Sequence, residues 1–282
     1  MSEYLKRNST ELKVLFIYLF ALTAIGFCIV KYNSVPPEIE AAPEIQKTTI
    51  IEEKVFGYSV TGRPIDGYEI GSGGNVILFM GAIHGDEMGT ADLLNSLVDE
   101  IKADPSIVSQ NRKLIIIPIS NPDGYYDRTD KLNANSVNLN LNFATLDWQD
   151  HGPEGTFAGD APFSEPESVV IKDIVEQYNP SVMISYHSQG ALVTPEATPA
   201  SELWARWYAD KVGYAYFDDW DFPGMATKWF VEATHNPAIT VEITWNLQSD
   251  WEMHEPVLRE LISSDDDPVQ IYDEPAIQEE SN

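Results

Sequence analysis

"VILFMGAIHGDEMGT", residues Val76–Thr90, begins as a short apolar run and passes directly to His84 and, three positions on, Glu87. The run has the length and composition of a buried strand. "MGTADLLNSLVDEIKAD", from Met88 to Asp104, has helical periodicity. The same unit recurs. "KLIIIPISNPDG" (Lys113–Gly124) is a buried strand ending in a turn, and "SVMISYHSQG" (Ser181–Gly190) and "PAITVEITW" (Pro237–Trp245) are two more. Helical periods fill "SEPESVVIKDIVEQY" (Ser164–Tyr178), which opens on a capping-box signature (Ser164 and Glu167), and "SELWARWYADKVG" (Ser201–Gly213). Continuous apolar strands alternating with amphipathic helices predict an α/β fold, a mostly parallel or mixed central sheet with helices on both faces. "EIGSGGN" (Glu69–Asn75) reads as a hairpin turn, because no helix follows it as phosphate binding requires.

In such sheets the ligand site lies beyond the carboxyl ends of the strands. His84 and Glu87 follow one strand, His187 ends another, and Glu242 lies near the end of a fourth, so four groups distant in sequence can meet at one edge. Two histidines and a carboxylate, with a position left for water, make the ligand set of a catalytic zinc site. A further carboxylate can serve as general base. The lone cysteine, Cys28, excludes internal disulfides and thiolate metal sites, so any metal is held by His, Asp and Glu. The other three histidines read as bystanders: His151 and His254 lack partner spacing, and His235 sits in a turn before the last strand. No G-x-S-x-G nucleophile elbow is present. A net charge of −28 argues against nucleic-acid binding and against electrostatic attachment to an anionic membrane.

The chain divides into five stretches. Residues 1–13 carry Lys6, Arg7 and Lys13, and 14–31 form a predicted transmembrane anchor, whose uncharged core "VLFIYLFALTAIGFCIV" runs from Val14 to Val30. The excess of positive charge before it predicts a cytoplasmic N-terminus and an exported remainder. No small-x-small cleavage site directly follows, so an uncleaved anchor is expected rather than a signal peptide. The Asn8 sequon then falls inside the cell. Residues 32–48, with "NSVPPEIEAAPEIQK", read as an extended linker, 49–263 as the folded domain, and 264–282 as an acidic disordered tail.

Seven segments, in order, carry a more specific signal: "GYSVTGRPIDGYEIG", "GAIHGDE", "NPDG", "NLNLNF", "FAGDAPFSEPES", "ISYHSQG" and "ITVEITW". Together, over roughly Glu53 to Trp245, they resemble the zinc carboxypeptidase family (M14), in particular its bacterial branch similar to murein peptide amidase. The resemblance implies that His84, Glu87 and His187 bind one Zn2+ and that Glu242 is general base and proton shuttle in amide-bond hydrolysis. It implies a peptide substrate from the murein wall, cut next to diaminopimelate.

This sequence departs from the family pattern at several positions. Leu141 stands where an arginine grips the substrate's terminal carboxylate, and a leucine makes no forked, charge-assisted contact. Ordinary C-terminal exopeptidase action thereby loses its usual grip, although Asn140 of the same motif is retained. Asn138 replaces an aspartate that orients a ligand histidine; its amide oxygen can still accept that hydrogen bond. Lys131 aligns nearest to the family's oxyanion-stabilising arginine, with Arg128 as the other candidate. The family's active-site tyrosine has no clear match: a gapless count from Trp229 lands on Trp220, with Tyr214 and Tyr216 nearby. Lys228 falls in the segment that lines the specificity pocket and could pair with a substrate carboxylate or remain a solvated lysine. The alternative to a working hydrolase is an impaired zinc-binding envelope module that holds peptide without cleaving it.

Overall fold

The computed structural model describes residues 13–14, 16–25, 49–127, 131–244, 247–267 and 269. The chain divides into two compact units, Met1–Gln46 and Lys47–Asn282. In the first, residues 13–14 and 16–25 are helical and leave large apolar side chains exposed, Phe20 by 78%. Among the described residues no helix is long and apolar enough to cross a membrane. The remainder of the expected anchor, residues 15 and 26–31, lies outside the described residues, as do the linker 32–48, the Asn8 sequon and Arg128.

The second unit is built on eight strands: β1 (Ile51–Tyr58), β2 (Pro64–Gly71), β3 (Asn75–Met80), β4 (Arg112–Ile117), β5 (Val182–Ser188), β6 (Leu192–Pro195), β7 (Ala215–Tyr216) and β8 (Ala238–Ile243). They form one sheet in the order β1-β2-β4-β3-β5-β8-β6-β7. Its four central strands, β4, β3, β5 and β8, are parallel; β2 pairs antiparallel with β1 and β4, and β6 antiparallel with β8. The sheet is therefore mixed. "EIGSGGN" is not a hairpin turn: it links β2 to β3, but β4 lies between them, so the two strands never pair.

Among the described residues five helices pack on the sheet, α1 (Met88–Ala103), α3 (Pro166–Tyr178), α4 (Pro199–Val212), α5 (Ala226–Thr234) and α6 (Leu247–Ser263), while the short α2 (Pro122–Asp127) lies against the turn that follows β3. Strand side chains alternate between faces. On β3, Ile77 and Phe79 join a layer with Leu94 of α1, Trp207 of α4 and Leu258 of α6, while Val76, Leu78 and Met80 join Ile171 of α3 and Phe230 of α5. Burial on both faces explains why the strand is apolar throughout, and each such side chain contributes about 1.5–3 kcal/mol. On β5 and β8 the alternation puts Ser185, His187, Thr240 and Glu242 on the α3/α5 side, the side of Met183 and Ala238.

The capping box does not form. Pro166 takes the first position of α3, Glu165 becomes its N-cap without a side-chain cap bond, and Glu167 instead accepts from the Val60 N–H at 3.1 Å. The folded chain also continues past residue 263. Arg112, fully buried, donates to the Ser264 carbonyl (2.9 Å), the Asp266 carbonyl (2.6 Å) and the Asp267 carboxylate (2.7 Å), and Val269 is buried. Part of the expected acidic tail is thus bound as the partner of a buried guanidinium; residues 270–282 lie outside the described residues.

His254 of α6 is a core residue. Its Nδ1 lies 2.8 Å from the Tyr208 hydroxyl, itself 2.9 Å from that of Tyr186, and burial pushes the imidazole down to about 4. The unfolded value is about 6.5. The unfolded chain thus binds more protons between these values, and the stability due to neutral His254 is complete above pH 6.5 and lost as pH falls toward 4. The loss reaches about 3 kcal/mol. In urea unfolding, stability is expected to fall more steeply between pH 6.5 and 4.5 for wild type than for His254→Gln; equal slopes would contradict this assignment.

Candidate active site

The β3–α1 turn is shaped by its own backbone. Glu87 N–H donates to the His84 carbonyl (3.2 Å), the Thr90 hydroxyl donates to the Glu87 carbonyl (2.7 Å), and Ala82 N–H donates to Thr90 Oγ1 (2.8 Å). Gly85 lets this turn lie directly on α2, since a Cβ there would meet the Gly124 carbonyl carbon at 2.3 Å. Asn121, of the "NPDG" segment, ties two loops together: its Nδ2 donates to the Ile83 carbonyl (3.3 Å) beside His84 and to the Leu132 carbonyl (3.2 Å) beside Lys131. On the sheet, His187 and Glu242 are register partners across β5 and β8.

His84, Glu87 and His187 are all buried, and one ligand atom from each lies within 4.8 Å of the others. Glu87 Oε1 is 2.8 Å from His84 Nδ1, and Oε2 is 3.0 Å from His187 Nδ1. The second contact lacks hydrogen-bond geometry, so Oε2 is a buried carboxylate oxygen without a hydrogen-bond partner. The tautomer of His84 sharpens the point. Asn138 Oδ1 accepts from the Asn140 N–H (3.1 Å), which fixes the amide orientation, and lies 3.2 Å from His84 Nε2, so that nitrogen carries the proton. In a neutral ring, Nδ1 then turns a lone pair toward Glu87. Lone pairs converging in a buried space fit a cation, and two imidazoles with a carboxylate fit zinc. Burial raises the Glu87 carboxyl, whereas His187 and His84 in their protonated forms, the arrangement that stands in for a cation when no metal is bound, lower it to about 2. His187 shows the same pull: burial opposes its charge, and Glu87 raises it nevertheless.

These residues line a cavity of about 670 Å³ together with Glu242, Lys131, Asn138, Asn140 and Leu141. Burial raises the Glu242 carboxyl above the ordinary range, while His187, His84 and Lys131 pull it down. A carboxyl raised in this way is a better proton acceptor than an ordinary one. Lys131 is exposed, lines the cavity, and its charge acts on Glu242 and His187. Lys228 does not line the cavity; its ammonium is held by Asp147 (2.7 Å) and Asp221 (2.5 Å), so it is not a free grip for substrate. Of the tyrosine candidates, the cavity takes Trp220, not Tyr214, whose hydroxyl donates to Asp250 (2.8 Å), nor Tyr216.

Several lining residues escaped the sequence reading, among them Thr240, Phe222, Met225 and Gly190. Thr240 had a legible signal, two residues before Glu242 on the same face of β8. Gly190 brings the chain against Glu242, where a Cβ would lie 2.9 Å from that of Glu242. Asn138 steadies His84 in place of a charged partner. Asn138→Ala is expected to lower zinc affinity about 10–100-fold, measured by competition with a chromophoric chelator. Unchanged affinity would mean that His84 needs no such support.

A model of the zinc carboxypeptidase family, Peptidase_M14, matches residues 42–244. Murein peptide amidase A of Vibrio campbellii is 28% identical over 210 residues, 69% of this chain and 80% of the relative. Gamma-D-glutamyl-L-diamino acid endopeptidase 1 of Lysinibacillus sphaericus is 22% identical over 253 residues, 72% of this chain and 61% of the relative. Among solved structures, murein-tripeptide amidase from Escherichia coli O157 superposes with a TM-score of 0.61 at 21% identity, covering 75% of this chain and 92% of the other. Carboxypeptidase A from Helicoverpa armigera gives 0.61 at 22% identity, covering 77% and 65%. With the buried His-Glu-His group at the strand ends and the match over most of the folded unit, the chain belongs to the zinc carboxypeptidase family.

Proposed function

We propose that this hydrolase cleaves an amide bond of a murein peptide next to diaminopimelate, with its catalytic unit outside the cytoplasmic membrane. The observation that carries the amide-hydrolase reading is the register pair His187–Glu242, which joins a member of the metal group to a carboxylate that does not belong to it. Zinc bound by His84, Glu87 and His187 supplies Lewis acidity toward the scissile carbonyl and toward water. Glu242 removes a proton from the attacking water and delivers it to the leaving amine, which its raised carboxyl suits. Lys131 offers its charge to the oxygen that becomes negative as water adds. Asn140 Oδ1 accepts from the Ala226 N–H at 3.4 Å, which leaves its Nδ2 to donate to substrate.

The choice of murein peptide is supported by the 28% identity to a murein peptide amidase. The location is supported by the uncharged Val14–Val30 run and by the basic residues before it. The test is to incubate the zinc-loaded full chain with murein stem peptides of graded length and follow the products by mass spectrometry. A diaminopimelate-bearing product is expected. Intact peptides that nevertheless bind in a zinc-dependent way would instead make the protein a peptide-holding module.

A further inference from the structure

The cavity has two chemically different regions. Lys131, Glu242 and the metal group occupy one; Leu141, Met225 and Phe222 form an apolar wall in the other. Leu141 is 5% exposed and packs with Ala158 and Met225. Its Cδ1 occupies the space a side chain on Gly152 would need, 2.3 Å from an ideal Cβ there. The leucine is thus fitted into the wall, where it presents an apolar surface and no positive charge.

Among the described lining residues Lys131 is the only lysine or arginine, against the carboxylates of Asp86, Glu87 and Glu242. The charge of Lys131 is already directed at Glu242 and His187. Lys228 is held outside by Asp147 and Asp221. A free carboxylate placed against the apolar wall would be desolvated without a charged partner, which is costly. A peptide carbonyl makes no such demand, and one neutral donor, the Asn140 amide, suffices for it.

Resting on the amide-hydrolase reading above, we infer that the residue on the amine side of the scissile bond is accepted with its own carboxyl group in amide linkage. The enzyme then cuts within a longer or amidated peptide rather than releasing a C-terminal amino acid. One water is consumed: its hydroxyl joins the acyl carbon, the C–N bond breaks, and the proton passes to the amine, while the downstream amide stays intact.

The test compares kcat/KM of the full chain on three substrates identical up to the scissile bond. In them the amine-side residue ends in a free carboxylate, a primary amide, or one further alanine. The amide and the extended peptide are expected to exceed the free acid by about tenfold or more, and Leu141→Arg to shift the ratio toward the acid by a similar factor. The wild-type ratio carries the test alone should Leu141→Arg fail to fold. Equal or preferred hydrolysis of the free acid would overturn this inference and leave the hydrolase intact; loss of that preference in Arg128→Ala would then identify the grip. Failure to cleave any of the three would overturn both readings together.

Discussion

Glu242→Gln is expected to lower kcat by about 10²–10⁴-fold while zinc content and thermal stability stay at wild-type levels. The substitution keeps the shape of the side chain and removes only its capacity to exchange a proton. Glu242 is not in the metal group, so the three ligands are untouched. Its position is held by the β5–β8 ladder and by the close approach of Gly190, neither of which depends on the carboxylate charge. Burial raises the group, so a neutral amide removes a partly desolvated charge and costs the fold little. A loss of zinc with the activity would make Glu242 a metal-site residue, and retained activity would give the proton transfer to another group.

His187→Ala is expected to abolish both zinc retention and turnover. His187 is 2% exposed, and its Nδ1 stands 3.0 Å from Glu87 Oε2. Alanine leaves a two-ligand site and takes one counter-charge from a carboxylate that the two imidazoles together hold at about 2. In wild type, zinc at a hundred times its dissociation constant raises stability by about 2.7 kcal/mol. In His187→Ala that increment should vanish, with the melting temperature the same in zinc and in chelator. A zinc-dependent melt and full metal content in the variant would remove His187 from the site.

The apolar strands β3, β4, β5 and β8 were legible because both of their faces are covered, which leaves an uninterrupted run. The metal group was legible for the same reason, since its members stand at or just beyond the ends of β3 and β5. β1 was not: "IEEKVFGY" mixes charge with apolar residues, as suits a sheet edge whose side chains are mostly exposed or half-buried. β6 and β7 are too short to show a period. Lys228 illustrates a different limit. Its place near the pocket segment follows from the chain, but its partners Asp147 and Asp221 come from loops whose approach no local pattern encodes. Asn121 is the converse case: the motif containing it was visible, while its work of joining the His84 and Lys131 loops needed three-dimensional contacts.

The most direct test of the central claim is to follow zinc content and stem-peptide turnover in one preparation of the full chain, through chelation and then zinc addition. The expected result is one zinc per chain, lost together with turnover on chelation and restored together with it. Turnover that persists in the zinc-free protein would contradict the assignment of His84, Glu87 and His187 as the centre of a zinc-dependent hydrolase.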